Sequence, residues 1–339
     1  MKFKKLISIA ASVVLSATLL TGCSSKNEKA NSNLSVGIVL GEGSITDQSF
    51  NQATWEGLQK AKEDFNIDIK YLESPQESDY IQNIETLVDQ ETDLIIGVGY
   101  QLKDAIKESA ESYPDQKFAL MDETYDKIPE NVVPVIFKEE EAAYLTGIIA
   151  AKMTKTNNVG FIGGMPTPAI SKYQYGYKYG VETTNKDVKV AQQYANSFSD
   201  QAKGKSIAKQ MYASNVDTIL SAAGDTGTGA IEAARENNKY AIGVDRDQSY
   251  LAPDNVITSA LKKLNVASYD LAKSLVEGNY KGGEAQVYGL KEGAVSIPEN
   301  TNKLVPQEII DYVNKQAKKV IDGEINVPRT EKEYNDMMK

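Results

Sequence analysis

The segment Asp47-Gln-Ser-Phe-Asn51 sets a carboxylate, a hydroxyl, an aromatic ring and two carboxamides side by side. Asp, Ser and Asn readily accept hydrogen bonds from the free N–H groups of a helix start, and Phe50 has the place of a hydrophobic staple, so capping is one reading. Contact with a ligand is the other, and the two can coexist. Asp122, Asp245 and Asp247 each close an apolar run, and Lys262 ends Thr258-Ser-Ala-Leu-Lys262. An aspartate in such a place is often only a turn former. Yet carboxylates accept from hydroxyls and an ammonium donates to them, so the set suits a ligand with vicinal hydroxyls. Phe50, Phe137 and Phe198 are three of seven phenylalanines, and all fall in loops at the ends of apolar runs. Core packing is the default for any one of them, whereas two opposed rings across a cleft would stack a flat heteroaromatic base. Gly224-Asp-Thr-Gly-Thr-Gly229 looks like a phosphate-cradling loop, but no Lys-Ser or Lys-Thr follows it. A tight strand-to-helix turn is the simpler account.

Absent residue types narrow the chemistry. There is no histidine, and Cys23 is the single cysteine. A Ser-His-Asp or Cys-His nucleophile is excluded, as is a metal site built on His or thiolate ligands. No metal and no cofactor is expected. Carboxylates, Lys, Tyr and hydroxyls remain, which favours binding over catalysis. A nucleoside hydrolase using Asp47, Asp122 or Asp245 as general base is the enzyme alternative.

Strands regularly separated by helices would position these residues. Short β-rich runs at 34–40, 67–72, 93–99, 117–121 and 132–137 alternate with helical stretches at 51–65, 80–90 and 101–112. A second cycle follows: helices at 139–153, 173–183, 200–213 and 229–237, strands at 158–162, 188–194, 218–222 and 240–244. This alternation predicts an α/β fold of two doubly wound parallel-sheet lobes. Ligands bind such sheets at the carboxyl ends of the strands, where the aspartates, Lys262 and the phenylalanines fall.

The first residues have a different character. Lys2, Lys4 and Lys5 precede an uncharged apolar stretch from Leu6 to Leu20, and Leu20-Thr-Gly-Cys23 closes it. The run is short for a membrane span and reads as a signal peptide over 1–22. Cys23, at the lipobox position, is then the lipidation site, and 23–33 is a polar tether. Without the signal the formal net charge moves from −10 to about −13, which suits neither nucleic acid nor an anionic membrane surface.

Seven segments together resemble the basic membrane protein family, lipoproteins that serve as nucleoside-binding receptors of ABC importers. They are Asp47-Gln-Ser-Phe-Asn-Gln-Ala-Thr-Trp-Glu-Gly57, Phe118-Ala-Leu-Met-Asp122, Glu141-Ala-Ala-Tyr-Leu-Thr-Gly147, Phe161-Ile-Gly-Gly-Met165, Ser197-Phe-Ser-Asp-Gln-Ala-Lys-Gly-Lys205, Gly224-Asp-Thr-Gly-Thr-Gly229 and Gly243-Val-Asp-Arg-Asp-Gln248. The likeness runs in order over about 34–326. The resemblance implies a type I periplasmic-binding-protein fold, its lobes joined by a three-stranded hinge: 34–137 with about 259–290, and 138–258 with about 291–339. It implies that Phe50 and Phe198 sandwich a base, that Asn51 contacts it, that Asp122, Asp245 and Lys262 hold the ribose hydroxyls, and that Gly224 lines the pocket. Expected partners are a nucleoside, purines first, and an ABC permease, with a monomer lipid-anchored on the outer side of the cell membrane. One position departs from the family pattern, which commonly has an aspartate where this chain has Gly41, followed by Glu42. That change leaves a pyrimidine or a broader panel open. A sugar or signal-molecule receptor of the same fold is the nearest alternative.

Overall fold

The structure, a computed structural model, describes residues 34–339. The expected signal peptide over 1–22, the expected lipidation site Cys23 and the expected tether over 23–33 lie outside the described residues. The described residues, 34–339, form one compact unit.

The first lobe begins with β1 (Ser35–Leu40), α1 (Phe50–Phe65), β2 (Asp68–Glu73), α2 (Asp79–Asp89), β3 (Leu94–Val98), α3 (Lys103–Ser112), β4 (Lys117–Met121) and β5 (Val132–Phe137). The chain then crosses into α4 (Glu139–Met153), β6 (Asn158–Gly163), α5 (Pro168–Thr184), β7 (Lys189–Tyr194), α6 (Gln201–Ala213), β8 (Thr218–Ala222), α7 (Gly224–Glu236), β9 (Tyr240–Asp245) and β10 (Val256–Lys262). It returns for α8 (Leu264–Val276) and β11 (Gln286–Tyr288), and crosses a third time into β12 (Val295–Ser296), α9 (Gln307–Ile321) and α10 (Glu331–Met337).

Two six-stranded sheets result, in the orders β11-β5-β4-β3-β1-β2 and β12-β10-β9-β8-β6-β7. Every pairing is parallel except β10 with β12. The sheets match strand for strand, so the tandem α/β reading of the sequence holds. Sequence and position agree: β1, β3 and β8 are buried at every residue, β3 is an unbroken apolar run, and β1 and β8 are interrupted only by Ser35, Thr218 and Ser221. The edge strands β2 and β7, Asp-Ile-Lys-Tyr-Leu-Glu and Lys-Val-Ala-Gln-Gln-Tyr, alternate with exposed polar residues. Helix α4 is buried from Glu139 to Ala151, and beyond its three glutamates it is apolar on all sides, as a helix enclosed by other elements must be.

Four expectations need correction. The second crossing lies at Lys263 rather than 258/259, because β10 stays paired with β9 as far as Leu261 opposite Asp245. Helix α5 starts at Pro168 instead of Tyr173, with Pro in its first turn and the Thr167 hydroxyl accepting from the Ile170 N–H at 3.3 Å. Phe137 is not in a loop; it is the fully buried last residue of β5, stacked on Tyr288 with ring centroids 5.4 Å apart. Finally, Gly224–Gly229 is no loop but the start of α7. Gly224 makes the turn at φ +54°, and a Cβ on Gly229 would stand 1.9 Å from the Gln201 carbonyl oxygen, so close packing of α6 on α7 accounts for that glycine.

Candidate functional site

The carboxyl ends of both sheets face one cavity. Counted to its mouth it encloses about 770 Å³ of atom-free space. Asp47, Phe50, Asn51, Asp122, Phe198, Gly224, Asp245 and Lys262 all line it. Asp247, a turn residue beyond β9, is not among its lining residues and instead accepts from Asn300 Nδ2 at 2.6 Å.

Asp122 directly follows β4, and Asp245 ends β9. Both have left-handed backbone, φ 69° and 64°, which Asp tolerates better than most residues. Lys262, 2 % exposed, ends β10 and donates to Asp122 and, at 2.9 Å, to Glu139 Oε1. Its ammonium lies 5.0 Å from the Phe50 ring centroid and 5.1 Å from that of Phe137. Burial alone would pull the Lys262 pKa down; Asp122, Glu139 and Asp245 outweigh it and hold the ammonium above its ordinary value. Burial lifts Asp122 to about 6, with Lys262 offsetting only part of that. Glu139 is equally buried, but Lys262 and Lys172, the latter 3.0 Å away, keep it below the usual carboxylate range.

Asp122 Oδ1 is buried without a hydrogen-bond partner among the described residues. An orphaned carboxylate oxygen at a cavity wall is a place for a hydroxyl donor, since a buried unpaired acceptor is costly. Asp245 accepts from Ser49 Oγ of the first lobe and from the Tyr173 hydroxyl at 3.1 Å. Burial raises its pKa.

Phe50 opens α1 in the first lobe, and Phe198 lies between β7 and α6 in the second, so the rings reach the cavity from opposite lobes. Asp47 serves mainly as the cap of α1: its oxygens accept from the backbone N–H groups of Ser49 at 2.9 Å, Asn51 at 2.9 Å and Gln52 at 3.1 Å. Burial still raises its pKa to about 6. Asn51 Nδ2 donates to the carbonyls of Glu42 and Ser44, each at 3.3 Å, and so holds the loop after β1. At Gly41 a Cβ would come 3.0 Å from Gln101 Oε1, so the Gln101 carboxamide fills the space beside this residue and itself lines the cavity.

The family model described as ABC transporter substrate-binding protein PnrA-like matches residues 34–331. The chain belongs to the Bmp family. It is 39% identical over 332 residues to basic membrane protein A of Borreliella burgdorferi, covering 96% of this chain and 97% of that one. With the ABC transporter nucleoside-binding protein BmpA of Lactococcus lactis it shares 36% identity over 351 residues, 96% of this chain and 99% of the relative. A crystal structure of an ABC transporter solute-binding protein from Aeropyrum pernix K1 superposes with a TM-score of 0.79 at 28% identity, covering 90% of this chain and 96% of the other. The Bmp-family chain is thus a substrate-binding protein of an ABC transporter with a periplasmic-binding-protein-like fold, and not an enzyme.

Glu139, Tyr173 and Ser49 complete the charged cluster, and reading the sequence for strand-end residues missed them. The signal for Glu139 was available: three consecutive glutamates open an otherwise apolar helix, a pattern that forces charge into the interior. Tyr173 has no such signal, being one of four alternating tyrosines on α5.

Proposed function

We propose that this protein binds a nucleoside, purines first, between its lobes and delivers it to an ABC permease, tethered outside the cytoplasm by a lipid on Cys23. The observation that carries the reading is the pairing of two unlike surfaces in one cavity. Phe50 and Phe198 offer apolar faces from opposite lobes, and beside them stand Asp122, with its unpartnered oxygen, Asp245 and Lys262. Aromatic faces suit a planar base, while carboxylates and an ammonium suit ribose hydroxyls. The Gln101 carboxamide adds one donor and one acceptor for the base edge. The relative whose name describes a nucleoside-binding protein supports the same cargo. Among the described residues no helix is long and apolar enough to cross a membrane, so attachment through Cys23 supplies the link to a permease.

A thermal-shift panel of nucleosides, free bases, nucleotides and sugars tests this. A ligand present at about a hundred times its Kd adds about 2.7 kcal/mol and raises Tm by several degrees. Shifts with nucleosides are the expected result. A response to sugars with none to nucleosides would keep the receptor and overturn the cargo.

A further inference from the structure

Glu42 belongs to the loop after β1 in the first lobe, yet its hydrogen bonds run to the second. Its Oε1 accepts from Ser197 Oγ, the Phe198 backbone N–H and Ser199 Oγ, each at 3.0 Å. The receiving loop is shaped for this by a bond of its own, Ser199 N–H to Ser197 Oγ at 3.0 Å. It leads directly into α6, whose N-cap is Asp200. One carboxylate oxygen therefore collects three donors from three consecutive residues, and the middle one is Phe198, an aromatic wall of the cavity. Phe198 has little freedom on its other side: a Cβ on Gly164 would stand 2.3 Å from its ring.

Other contacts join the lobes. Gln248 Nε2 donates to the Gln48 carbonyl at 3.0 Å, and Arg246 meets Glu56 at 3.0 Å. The first lies just before Phe50 and the second along α1, and inside the cavity side chains also bridge the lobes, Ser49 Oγ donating to Asp245 and Lys262 to Asp122. Among the described residues, only the Glu42 contact ties a first-lobe side chain to the backbone of a residue that lines the cavity from the second lobe. Charge-assisted hydrogen bonds of this kind exist when the lobes are together and are exchanged for water when they part.

We infer that Glu42 is the latch of the closed cleft and a positioning residue for Phe198: it captures the Ser197–Ser199 loop as the lobes meet, sets the ring against the occupant and slows its escape. The inference rests on the cleft being the ligand site proposed above. A latch acts on the closed state, so removing it should speed dissociation and leave association nearly unchanged.

The test combines stopped-flow binding of adenosine, inosine, cytidine and uridine with lobe-to-lobe energy transfer in the 33–339 body, which contains no cysteine of its own and accepts labels at Lys107→Cys and Lys186→Cys. Glu42→Ala is expected to raise the dissociation rate about tenfold and lower the closed population. Glu42→Gln, which keeps one acceptor oxygen, should restore part of the loss. Ser197→Ala/Ser199→Ala combined with Glu42→Ala should be no worse than Glu42→Ala alone, and Glu42→Ala should lower Tm more with ligand than without it. Independent, multiplying effects, an unchanged dissociation rate, or an equal loss of Tm without ligand would each overturn the latch. If none of the four nucleosides binds but Glu42→Ala still lowers the closed population, the cargo reading fails while the latch stands.

Discussion

Asp122 and Asp245 occupy equivalent places in the two lobes. Each closes the fourth strand of its sheet, each has a left-handed backbone, and each turns its carboxylate into the same cavity. Their partners differ. Asp122 meets the Lys262 ammonium and keeps one oxygen without a partner among the described residues, whereas both oxygens of Asp245 accept from neutral hydroxyls. The repeated fold thus supplies two carboxylates facing one another, and the unequal surroundings give them unequal work.

That difference gives the first prediction. Asp245→Asn keeps the shape of the side chain but can no longer accept from both Ser49 and Tyr173 without a mismatch. Ribosides should bind at least tenfold more weakly while free bases change little. Calorimetric titration of adenosine and adenine checks it, and equal losses for both would contradict the ribose assignment.

Phe198→Ala removes one stacking face and should weaken nucleoside binding by about 1–3 kcal/mol, the scale of one aromatic partner. The same titration reads it, and a variant as tight as the parent would contradict the sandwich.

Lys262→Met keeps the apolar stem but strips the ammonium from between Asp122 and Glu139. Breaking a buried pair by removing one partner leaves uncompensated charge, at about 3–5 kcal/mol. Urea unfolding at pH 7 should show a loss of that order, and a loss below about 1 kcal/mol would mean the cluster is not ionised as described.

Glu140 gives a pH test away from the cavity. Burial, reinforced by the Glu139 charge, raises it to about 8, with Lys172 opposing and Glu141 adding repulsion, and its Oε2 has no hydrogen-bond partner among the described residues. A carboxyl raised in the folded state binds its proton there between its ordinary pKa and 8, so its ionisation weakens the fold progressively across that window. Glu140→Gln should therefore change stability little near pH 4.5 and gain most above pH 8. The span is at most about 5 kcal/mol, from 1.36 kcal/mol per pKa unit. Unfolding curves of parent and variant at pH 5 and pH 9 check it; a gain that is equal at both would contradict it.

The sequence exposed the fold because buried parallel strands are apolar along their whole length, as in Leu94-Ile-Ile-Gly-Val98, and stand out between helices. Strand ends were legible for the same reason, which is how Asp122, Asp245 and Lys262 came into view together. Gly224–Gly229 misled because Gly, Asp and Thr have low helix propensity; the packing of α6 on α7, which only glycine permits at Gly229, overrides it. Glu139 and Ser49 escaped because their roles depend on partners 123 and 196 residues away, Lys262 and Asp245, and no local pattern encodes such distances.

A crystal structure of the 33–339 body with its best-binding nucleoside tests the central claim most directly. The account places the base between the rings of Phe50 and Phe198, with ribose hydroxyls on Asp122 Oδ1, Asp245 and Lys262. A nucleoside bound elsewhere, or one in this cavity whose ribose points away from all three, would contradict it.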